Sequence, residues 1–485
     1  MHFSSLPWIQ HFRTLGNDFF SPVEASPLSA PYWVHINEQV ANLLGTSARA
    51  INNTSNLNIF SGKEKLTPYG NIAMVYAGHQ FGGYSPRLGD GRGLLIGQLL
   101  INDSILDLYL KGTGKTPYSR FGDGRAVLRS SIREYLVGEA MHALHIPTAR
   151  ALCIIGSDDS VIRETIETAA IVARIANTHI RFGHFEYFHY KQQFKQVKQL
   201  ADHVIQQFLP EQRAHSNPYL ALFNYAVAQT AMMIAKWQSV GFTHGVMNTD
   251  NMSIIGETID YGPYGFLDDY EPGFISNHSD HYGRYAFDQQ PSMGLWNLQA
   301  LAESLSSLIT TEELKTALAE YEPLLVKHYA ELMRKKLGLY REHDDDQSIC
   351  ANLLQLMAKD KVDYTIFFRR LCDFQVNKIN TPLAALFSQQ KSWRQWQSQY
   401  TQRLALETQT DKQRQQLMKQ TNPKYILRNY LVQRAIEQAQ QDKDFSEIDR
   451  LMTLVQAPFE EHPEYEHYAV LPSVTNKHLP VSCSS

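Results

Sequence analysis

The chain has 485 residues, of which 43% are hydrophobic and 19% are charged. These values are ordinary for a globular protein with a sizeable core, and the length predicts roughly two to four domain-sized units. The 45 basic and 49 acidic residues give a formal net charge of -4. That balance does not support binding of nucleic acid or of a membrane surface by the chain as a whole.

Targeting signals and cysteine usage point to one compartment. No apolar run approaches the roughly 18 residues that a membrane helix needs. The N-terminal segment MHFSSLPWIQHF lacks the basic and then apolar order of a signal peptide. The cysteines, at Cys153, Cys350, Cys372 and Cys483, have no metal-ligand spacing. Few cysteines in so long a chain are typical of a reducing compartment, and we expect a cytoplasmic protein.

The first half of the chain alternates glycine-rich loops with predicted strands. Residues 1 to about 70 are predicted to be an extension with one helix near His35 to Leu44, and a glycine-dense stretch begins near Tyr76. A helix is predicted after Ser130 or Ser131, with Glu134 completing a capping box. The predicted strands are Leu94 to Ile101, Leu106 to Leu110, Ala151 to Ile155, Val161 to Thr165 and Ala169 to Arg174. A hairpin turn is predicted at Gly156 to Asp159.

The second half is predicted to be mainly helical from about Gly183 onward. One helix, Phe223 to Val240, leads directly into the stretch GFTHGVMNTDNMSIIGETIDYG, which runs from Gly241 to Gly262. Within that stretch we expect a polar loop followed by two short strands, Met252 to Ile255 and Thr258 to Ile259, around a turn.

The stretch from Gly241 to Gly262 carries candidate metal ligands. Asp250 and Asn251 end its polar loop, and Asp260 follows the second short strand. Two carboxylates and an amide on neighbouring loops can converge on a divalent cation. Magnesium prefers such oxygen ligands and keeps waters and phosphates as the rest of its shell. The sequence therefore predicts a metal–nucleotide site here.

Lys111 is the candidate phosphate-binding lysine. It ends an apolar strand, and Glu134 on the following helix could hold it in place; alone, a strand-end lysine is more often exposed to solvent. However, protein kinases have the same order of parts: a strand lysine, a helix glutamate, further strands, a helical half and an Asp/Asn/Asp loop. Gly114-Lys115-Thr116 lacks the spacing of a Walker A loop, so Lys115 is predicted to be a surface lysine.

Two similar glycine loops frame the first predicted strands: Gly89-Asp90-Gly91-Arg92-Gly93 and Gly122-Asp123-Gly124-Arg125. Glycines let backbone N–H groups approach phosphates, and Arg92 adds a charged fork. The alternative is two tight turns with no ligand. Arg174 and Arg181 lie at the exit from the last predicted strand, where they could bind phosphate or serve in salt bridges.

These motifs resemble the selenoprotein O family, also called the SelO or YdiU family, over nearly the whole chain. The resemblance rests on Tyr76 to Gly93, Lys111 to Arg133, Arg174 to Gly183, Gly241 to Phe266 and the terminal Ser482-Cys483-Ser484-Ser485. It implies an α+β, protein-kinase-like fold with two lobes. Residues 1–70 would form an N-terminal extension, 71–182 an N-lobe of antiparallel sheet plus helix, 183–460 a mostly helical C-lobe and 461–485 a C-terminal tail.

The resemblance also implies an activity, namely transfer of AMP from ATP to Ser, Thr or Tyr hydroxyls of proteins, with the nucleotide flipped relative to kinases. Asp250 would accept the hydroxyl proton, and Asn251 and Asp260 would hold Mg²⁺ or Mn²⁺. The ATP-binding residues would be Gly89, Gly91, Arg92, Lys111, Asp123, Gly124, Arg174, Arg181 and Asp260. We expect a monomer whose partners are ATP and proteins with accessible hydroxyls, and neither nucleic acid nor membrane.

The residues alone leave the reaction open. They do not choose between attack at the α-phosphate and at the γ-phosphate, so a conventional protein kinase is the first alternative. Transfer of UMP from UTP is a second alternative, and a catalytically inactive nucleotide-binding scaffold is a third. The target proteins, the oligomeric state, the preferred metal and any redox role of Cys483 are also open.

Overall fold

The computed structural model describes residues 3–67, 69–376, 378, 380–477, 479 and 481. Its strands are β1 Trp8–Ile9, β2 Phe20–Val23, β3 Tyr32–Ile36, β4 Asn71–Met74, β5 Gly78–Gln80, β6 Gly83–Ser85, β7 Gly93–Ile101, β8 Ser104–Lys111, β9 Ala126–Val127, β10 Arg150–Ile162, β11 Ile166–Ala176, β12 Phe242–Thr243 and β13 Gly265–Phe266. Ser482 to Ser485, including Cys483, lie outside the described residues.

The helices of the described residues lie mostly in the second half of the chain, as predicted. They are α1 Glu38–Leu43, α2 Ala48–Ile51, α3 Thr54–Phe60, α4 Leu128–Ala143, α5 Phe182–Tyr190, α6 Phe194–Phe208, α7 Pro218–Val240, α8 Gln290–Leu305, α9 Thr311–Ala319, α10 Tyr321–Lys336, α11 Asp346–Asp360, α12 Tyr364–Leu371, α13 Thr381–Ala384, α14 Gln390–Leu404, α15 Asp411–Lys419, α16 Asn429–Asp442 and α17 Ser446–Gln456. Within the described ranges, none of them combines the length and the apolar character that spanning a bilayer requires.

The largest sheet is antiparallel and has the strand order β2-β4-β7-β8-β11-β10-β3, with β1 added to β7 and β9 added to β11. Side chains alternate between its two faces, as the period of a strand requires. Tyr109 points into the core shared with α4 and the helical half. Leu108 and Leu110 point into a second core, which α1 to α3 cover with residues such as Phe60. The predicted mixture of antiparallel sheet and helices is confirmed.

The N-terminal segment takes part in the sheet directly. β2 pairs with β4 and β3 pairs with β10, so residues before 70 supply both edge strands. The segment predicted as a helix near His35 to Leu44 is a strand up to Ile36 and a helix only from Glu38. Asn37 caps that helix, because its side chain accepts hydrogen bonds from the N–H groups of Gln39 and Val40.

The hairpin predicted at Gly156 to Asp159 is wrong. These residues form an irregularity within the single long strand β10, and the true turn lies between Ile162 and Ile166. The side chains of Ser157 and Asp159 bind the backbone of Ser29, at 2.7 and 2.9 Å. Gly156 lies against the ring of Tyr32, where a Cβ atom would be 2.6 Å away. Residues with the composition of a turn therefore connect β10 to the segment before β3, and the strand continues through them.

The two short strands predicted at Met252 to Ile255 and Thr258 to Ile259 are also wrong. Only one antiparallel bridge, between Met252 and Thr258, joins these segments. Their backbone groups bind other segments instead: the N–H of Ile254 donates to Ile180 and the N–H of Thr258 donates to Pro147. These hydrogen bonds hold the stretch against the loops that follow α4 and β11.

Helix α4 and helix α7 position the two halves of the site. α4 begins at Leu128, directly after β9, and has no side-chain cap, so the predicted capping box is wrong. Its Glu134 is buried and has other partners, described below. α7 begins after the capping residue Asn217 and ends at Gly241, whose φ of 71° is the left-handed conformation typical of a helix C-terminus. That turn directs the chain into the Gly241 to Gly262 stretch.

We expect Arg428→Ala to lower the free energy of unfolding by about 3–5 kcal/mol, because it removes the cation between two buried carboxylates. Arg428 contacts Asp268, and its Nη2 lies 3.0 Å from Asp363. Urea unfolding would measure the loss. Arg394→Ala is the matched control, since Arg394 is exposed on α14 and should change the stability by under about 0.5 kcal/mol. Equal stability of the two variants would contradict the prediction.

Candidate active site

A cleft of about 680 Å³ lies between the largest sheet and the Gly241 to Gly262 stretch. Every site residue predicted from the sequence lines it. These residues are Gly89, Gly91, Arg92, Lys111, Asp123, Gly124, Arg174, Arg181, Asp250, Asn251 and Asp260. The sheet supplies the cationic wall and the stretch supplies the acidic wall. The arrangement is therefore that of a site for an anionic ligand with a cation.

Lys111 is the last residue of β8, and it is not exposed to solvent. Its side chain contacts the carboxylate of Glu134 on α4, and Arg174 of β11 contacts the other oxygen of the same carboxylate. All three residues are at most 6% exposed. The expected pairing of Lys111 with Glu134 is thus present, while Lys115 lies on the surface.

The charges of this cluster control its ionisation. Burial alone would raise the pKa of Glu134, but attraction to Arg174 and Lys111 outweighs it and lowers the pKa to about 2. Burial lowers the pKa of Lys111 to about 8, although Glu134 opposes that change. Glu134 is therefore ionised at neutral pH, and the cluster is a buried carboxylate between two cations.

Asp260 is bracketed by two arginines. Arg174 Nη1 lies 2.7 Å from one of its oxygens, and Arg181 contacts the other oxygen. Burial would raise the pKa of Asp260, but Arg181, Arg174 and Lys111 outweigh it and hold the pKa well below its usual range. Asp260 also has a φ of 57°, a left-handed conformation that aspartate tolerates better than most residues.

Asp250 lies in a short 3₁₀ turn, Thr249–Asn251. Burial raises the pKa of its carboxyl to about 7, against the opposing charge of Arg181. The backbone carbonyl of Asp250 accepts a hydrogen bond of 2.8 Å from Arg181. Arg181 therefore connects Asp250 to Asp260, and the two carboxylates differ because only Asp260 is paired with cations through its side chain.

The two candidate metal ligands fit a hard divalent cation. Asn251 donates its amide N–H to the carbonyl of Val246, at 3.0 Å, which leaves the amide oxygen as its metal-binding atom. Asp260 offers carboxylate oxygens, each of which also contacts an arginine. Among the described residues no cluster of three or more His, Cys, Asp or Glu could hold a metal by itself. Two oxygen ligands completed by phosphates and waters are typical of magnesium.

The two glycine loops pack closely on neighbouring backbone and side chains. Gly89 has a φ of 76° and lies where a Cβ atom would be 2.5 Å from the ring of Tyr118. Gly124 has a φ of 72°, and its Cβ atom would lie 2.1 Å from the carbonyl oxygen of Gly114. Asp123 is held by Arg163 through contacts of 2.8 and 3.0 Å. Both loops therefore need glycine at these positions.

Sequence reasoning missed several residues that line the cleft or contact its lining, namely Tyr76, Gln80 and Asn248 in the lining and Tyr285 behind Asn248. Gln80 donates a hydrogen bond to Asp250 at 3.2 Å, and Tyr285 donates one to Asn248 at 2.7 Å. The ring of Tyr76 lies 4.9 Å from the guanidinium carbon of Arg181. The available signal was the polar pair His79-Gln80 inside the glycine-dense stretch that begins near Tyr76.

Comparisons with known proteins identify the family of the chain. The model of the family described as "Protein adenylyltransferase SelO" matches residues 2–456. The "Protein nucleotidyltransferase YdiU" of Vibrio vulnificus strain YJ016 is 50% identical over 489 aligned residues, which cover 99% of each chain. The proteins of the same name from Aliivibrio salmonicida and Yersinia pestis strain Pestoides F are each 48% identical. They cover 99% and 96% of both chains, respectively.

We expect the Glu134 carboxyl to contribute about 3 kcal/mol to the free energy of unfolding at neutral pH. Because its pKa is lower in the folded than in the unfolded protein, this contribution is complete above about pH 5. It is lost as the pH falls towards about 2. Unfolding of the wild type and of Glu134→Gln across that range would measure the difference.

The matched control for Glu134→Gln is Glu312→Gln, since the side chain of Glu312 is 84% exposed. Its stability should follow that of the wild type at every pH. If the difference between the wild type and Glu134→Gln stays constant from pH 7 to pH 2, the ionised cluster is not as described.

Proposed function

Since the chain belongs to the SelO family of protein adenylyltransferases, we propose that it transfers AMP from ATP to Ser, Thr or Tyr hydroxyls of proteins. It is an enzyme of the nucleotidyltransferase class, with a nucleotide as substrate. We further propose a protein-kinase-like, two-lobed arrangement. The pairing of Lys111 with Glu134 and the positions of Asn251 and Asp260 support it.

The distribution of charge along the cleft supports attack at the α-phosphate. Lys111, Arg174 and Arg181 are 6%, 4% and 2% exposed, so these three cations form a closed end of the cleft. Arg120 and Gly122 also line the cleft, and both are exposed to solvent. A buried cationic end favours the terminal phosphates over a nucleobase, because buried charges need counter-charges.

This orientation places the base towards the open end, near Asp123 and Gly124, and the α-phosphate between the two ends. A hydroxyl on a folded protein can enter only from the open side. The α-phosphate is then more accessible than the enclosed γ-phosphate. A conventional kinase needs the opposite arrangement, and the burial of Arg174 and Arg181 favours nucleotidyl transfer for that reason.

The proposed reaction assigns one role to each group. Asp250 accepts the proton of the incoming hydroxyl as the hydroxyl oxygen bonds to the α-phosphorus. The bond from the α-phosphorus to the oxygen that bridges to the β-phosphate breaks, and pyrophosphate leaves. Arg92, Lys111, Arg174 and Arg181 stabilise the charge on that leaving group. Asn251 and Asp260 would hold Mg²⁺ or Mn²⁺, which neutralises polyphosphate charge when bound.

We expect label from α-labelled ATP, and none from γ-labelled ATP, to appear on protein. The reason is that pyrophosphate carries the β- and γ-phosphates away. Each nucleotide would be incubated with the enzyme and with dephosphorylated casein, and the mass added to protein would be measured. Parallel incubation with α-labelled UTP tests the uridylyl alternative. Label from γ-labelled ATP alone would establish a conventional kinase instead.

We expect Lys111→Ala to lower the transfer rate by about 100-fold or more, because it removes a buried cation aimed at the phosphates. Lys115→Ala is the matched control: Lys115 is exposed four residues later and should leave the rate within about twofold. The rate of label transfer from α-labelled ATP measures both. A strong loss of rate in Lys115→Ala with little loss in Lys111→Ala would contradict the assignment of the phosphate contact to Lys111.

A further inference from the structure

A short extended segment from Gly78 to Phe81 runs beside the turn that carries Asp250. The N–H of His79 donates to Thr249 Oγ1 at 2.7 Å. The N–H of Phe81 donates to the side-chain oxygen of Asn248 at 3.3 Å. Gly78 lies so close that a Cβ atom there would be 2.9 Å from Asp250 Oδ1. Successive residues of one segment therefore fasten successive residues of the other.

Gln80 is the member of this segment that reaches the reacting carboxylate. Its Nε2 lies 3.2 Å from Asp250 Oδ2. An ionised carboxylate only accepts hydrogen bonds, so the amide nitrogen of Gln80 is the atom that faces it. The other oxygen, Asp250 Oδ1, is buried and has no hydrogen-bond partner among the described residues. The two oxygens of Asp250 are thus in different environments.

We infer that Gln80 is a positioning residue for Asp250. It holds Oδ2, and this fixes the orientation of the carboxylate that accepts the proton of the incoming hydroxyl. Glycine at position 78 permits the close approach of this segment, since a Cβ atom there would lie 2.9 Å from Asp250 Oδ1. The inference rests on the proposed function, since it takes Asp250 as the proton acceptor, and it adds Gln80 as a residue that acts through Asp250.

The support of Gln80 is rigid enough for this role. Gln80 ends strand β5, which pairs with β6. The ring of the preceding His79 binds the fully buried Glu186 at 2.5 Å. The backbone of the following Phe81 is also held in place, because its N–H donates a hydrogen bond to the hydroxyl of Tyr285 at 3.0 Å. Positioning groups act by such fixed geometry, and small displacements of a catalytic group are costly to the rate.

The first test is the variant Gln80→Leu, which keeps the approximate size of the side chain and removes its donor. We expect kcat for transfer from α-labelled ATP to dephosphorylated casein to fall about 10- to 100-fold. KM for ATP should stay within about twofold, because binding of the nucleotide is unchanged. Unchanged kcat, or a raised KM with unchanged kcat, overturns the inference.

The matched control is Gln196→Leu. Gln196 also donates its amide N–H to a carboxylate, that of Asp18, at 2.9 Å, but this pair is exposed and does not line the cleft. Its kcat should stay within about twofold of the wild type. An equal fall of kcat in Gln196→Leu and in Gln80→Leu would show a general effect of losing such a pair, and would overturn the inference.

The second test does not depend on activity. Thermal unfolding is measured for the wild type, Gln80→Leu, Asp250→Ala, which removes the acceptor, and the double variant. If Gln80 holds Asp250, the midpoint shifts of the two single variants do not add in the double variant. Additive shifts overturn the inference. A wild type that transfers no label from any nucleotide defeats the proposed function, and this cycle then still decides whether Gln80 holds Asp250.

Discussion

The site depends on a row of alternating charges, Lys111, Glu134, Arg174, Asp260 and Arg181, of which all but the partly exposed Asp260 are buried. Each carboxylate lies between two cations, and the members come from β8, α4, β11 and two loops. Because an unpaired buried charge is costly, the sheet, the helix and the acidic loop hold each other in place. Three cations against two anions leave an excess positive charge, which suits a polyphosphate and disfavours a neutral ligand.

The members of this row could be predicted from the sequence, but their pairing could not. A lysine at the end of an apolar strand and an acid after a glycine-rich stretch are visible in the sequence. The bond between Arg174 and Asp260 depends on sheet register: Val172 of β11 lies opposite Lys111, so Arg174 projects on the same face. Register across strands separated by about sixty residues is not encoded locally. Gln80 was missed for the same reason, since its partner Asp250 lies 170 positions later.

The errors in the predicted elements share one physical origin. Gly156 to Asp159 has turn chemistry, yet Ser157 and Asp159 bind Ser29 and the strand continues. The two short strands predicted between Met252 and Ile259 have the right composition, yet their backbone groups bind Ile180 and Pro147. In both cases contacts with distant segments outweigh the local preference. The long strands β7 and β8 were predicted well because their apolar runs and the Asn102-Asp103 turn agree with their tertiary pairing.

The participation of the first 36 residues in the sheet has a consequence for how the chain folds. Trp8 pairs with Leu99, and Ile36 pairs with Cys153. During synthesis these segments leave the ribosome long before the strands that they border. β1 and β2 can pair once β7 and β4 have emerged, but β3 must stay unpaired, and free to associate with other chains, until β10 has emerged as far as Gly156. Closing such long loops is entropically slow. The same segments that complete the sheet therefore make its assembly a late event and give the nascent chain a period in which chaperone binding would be useful.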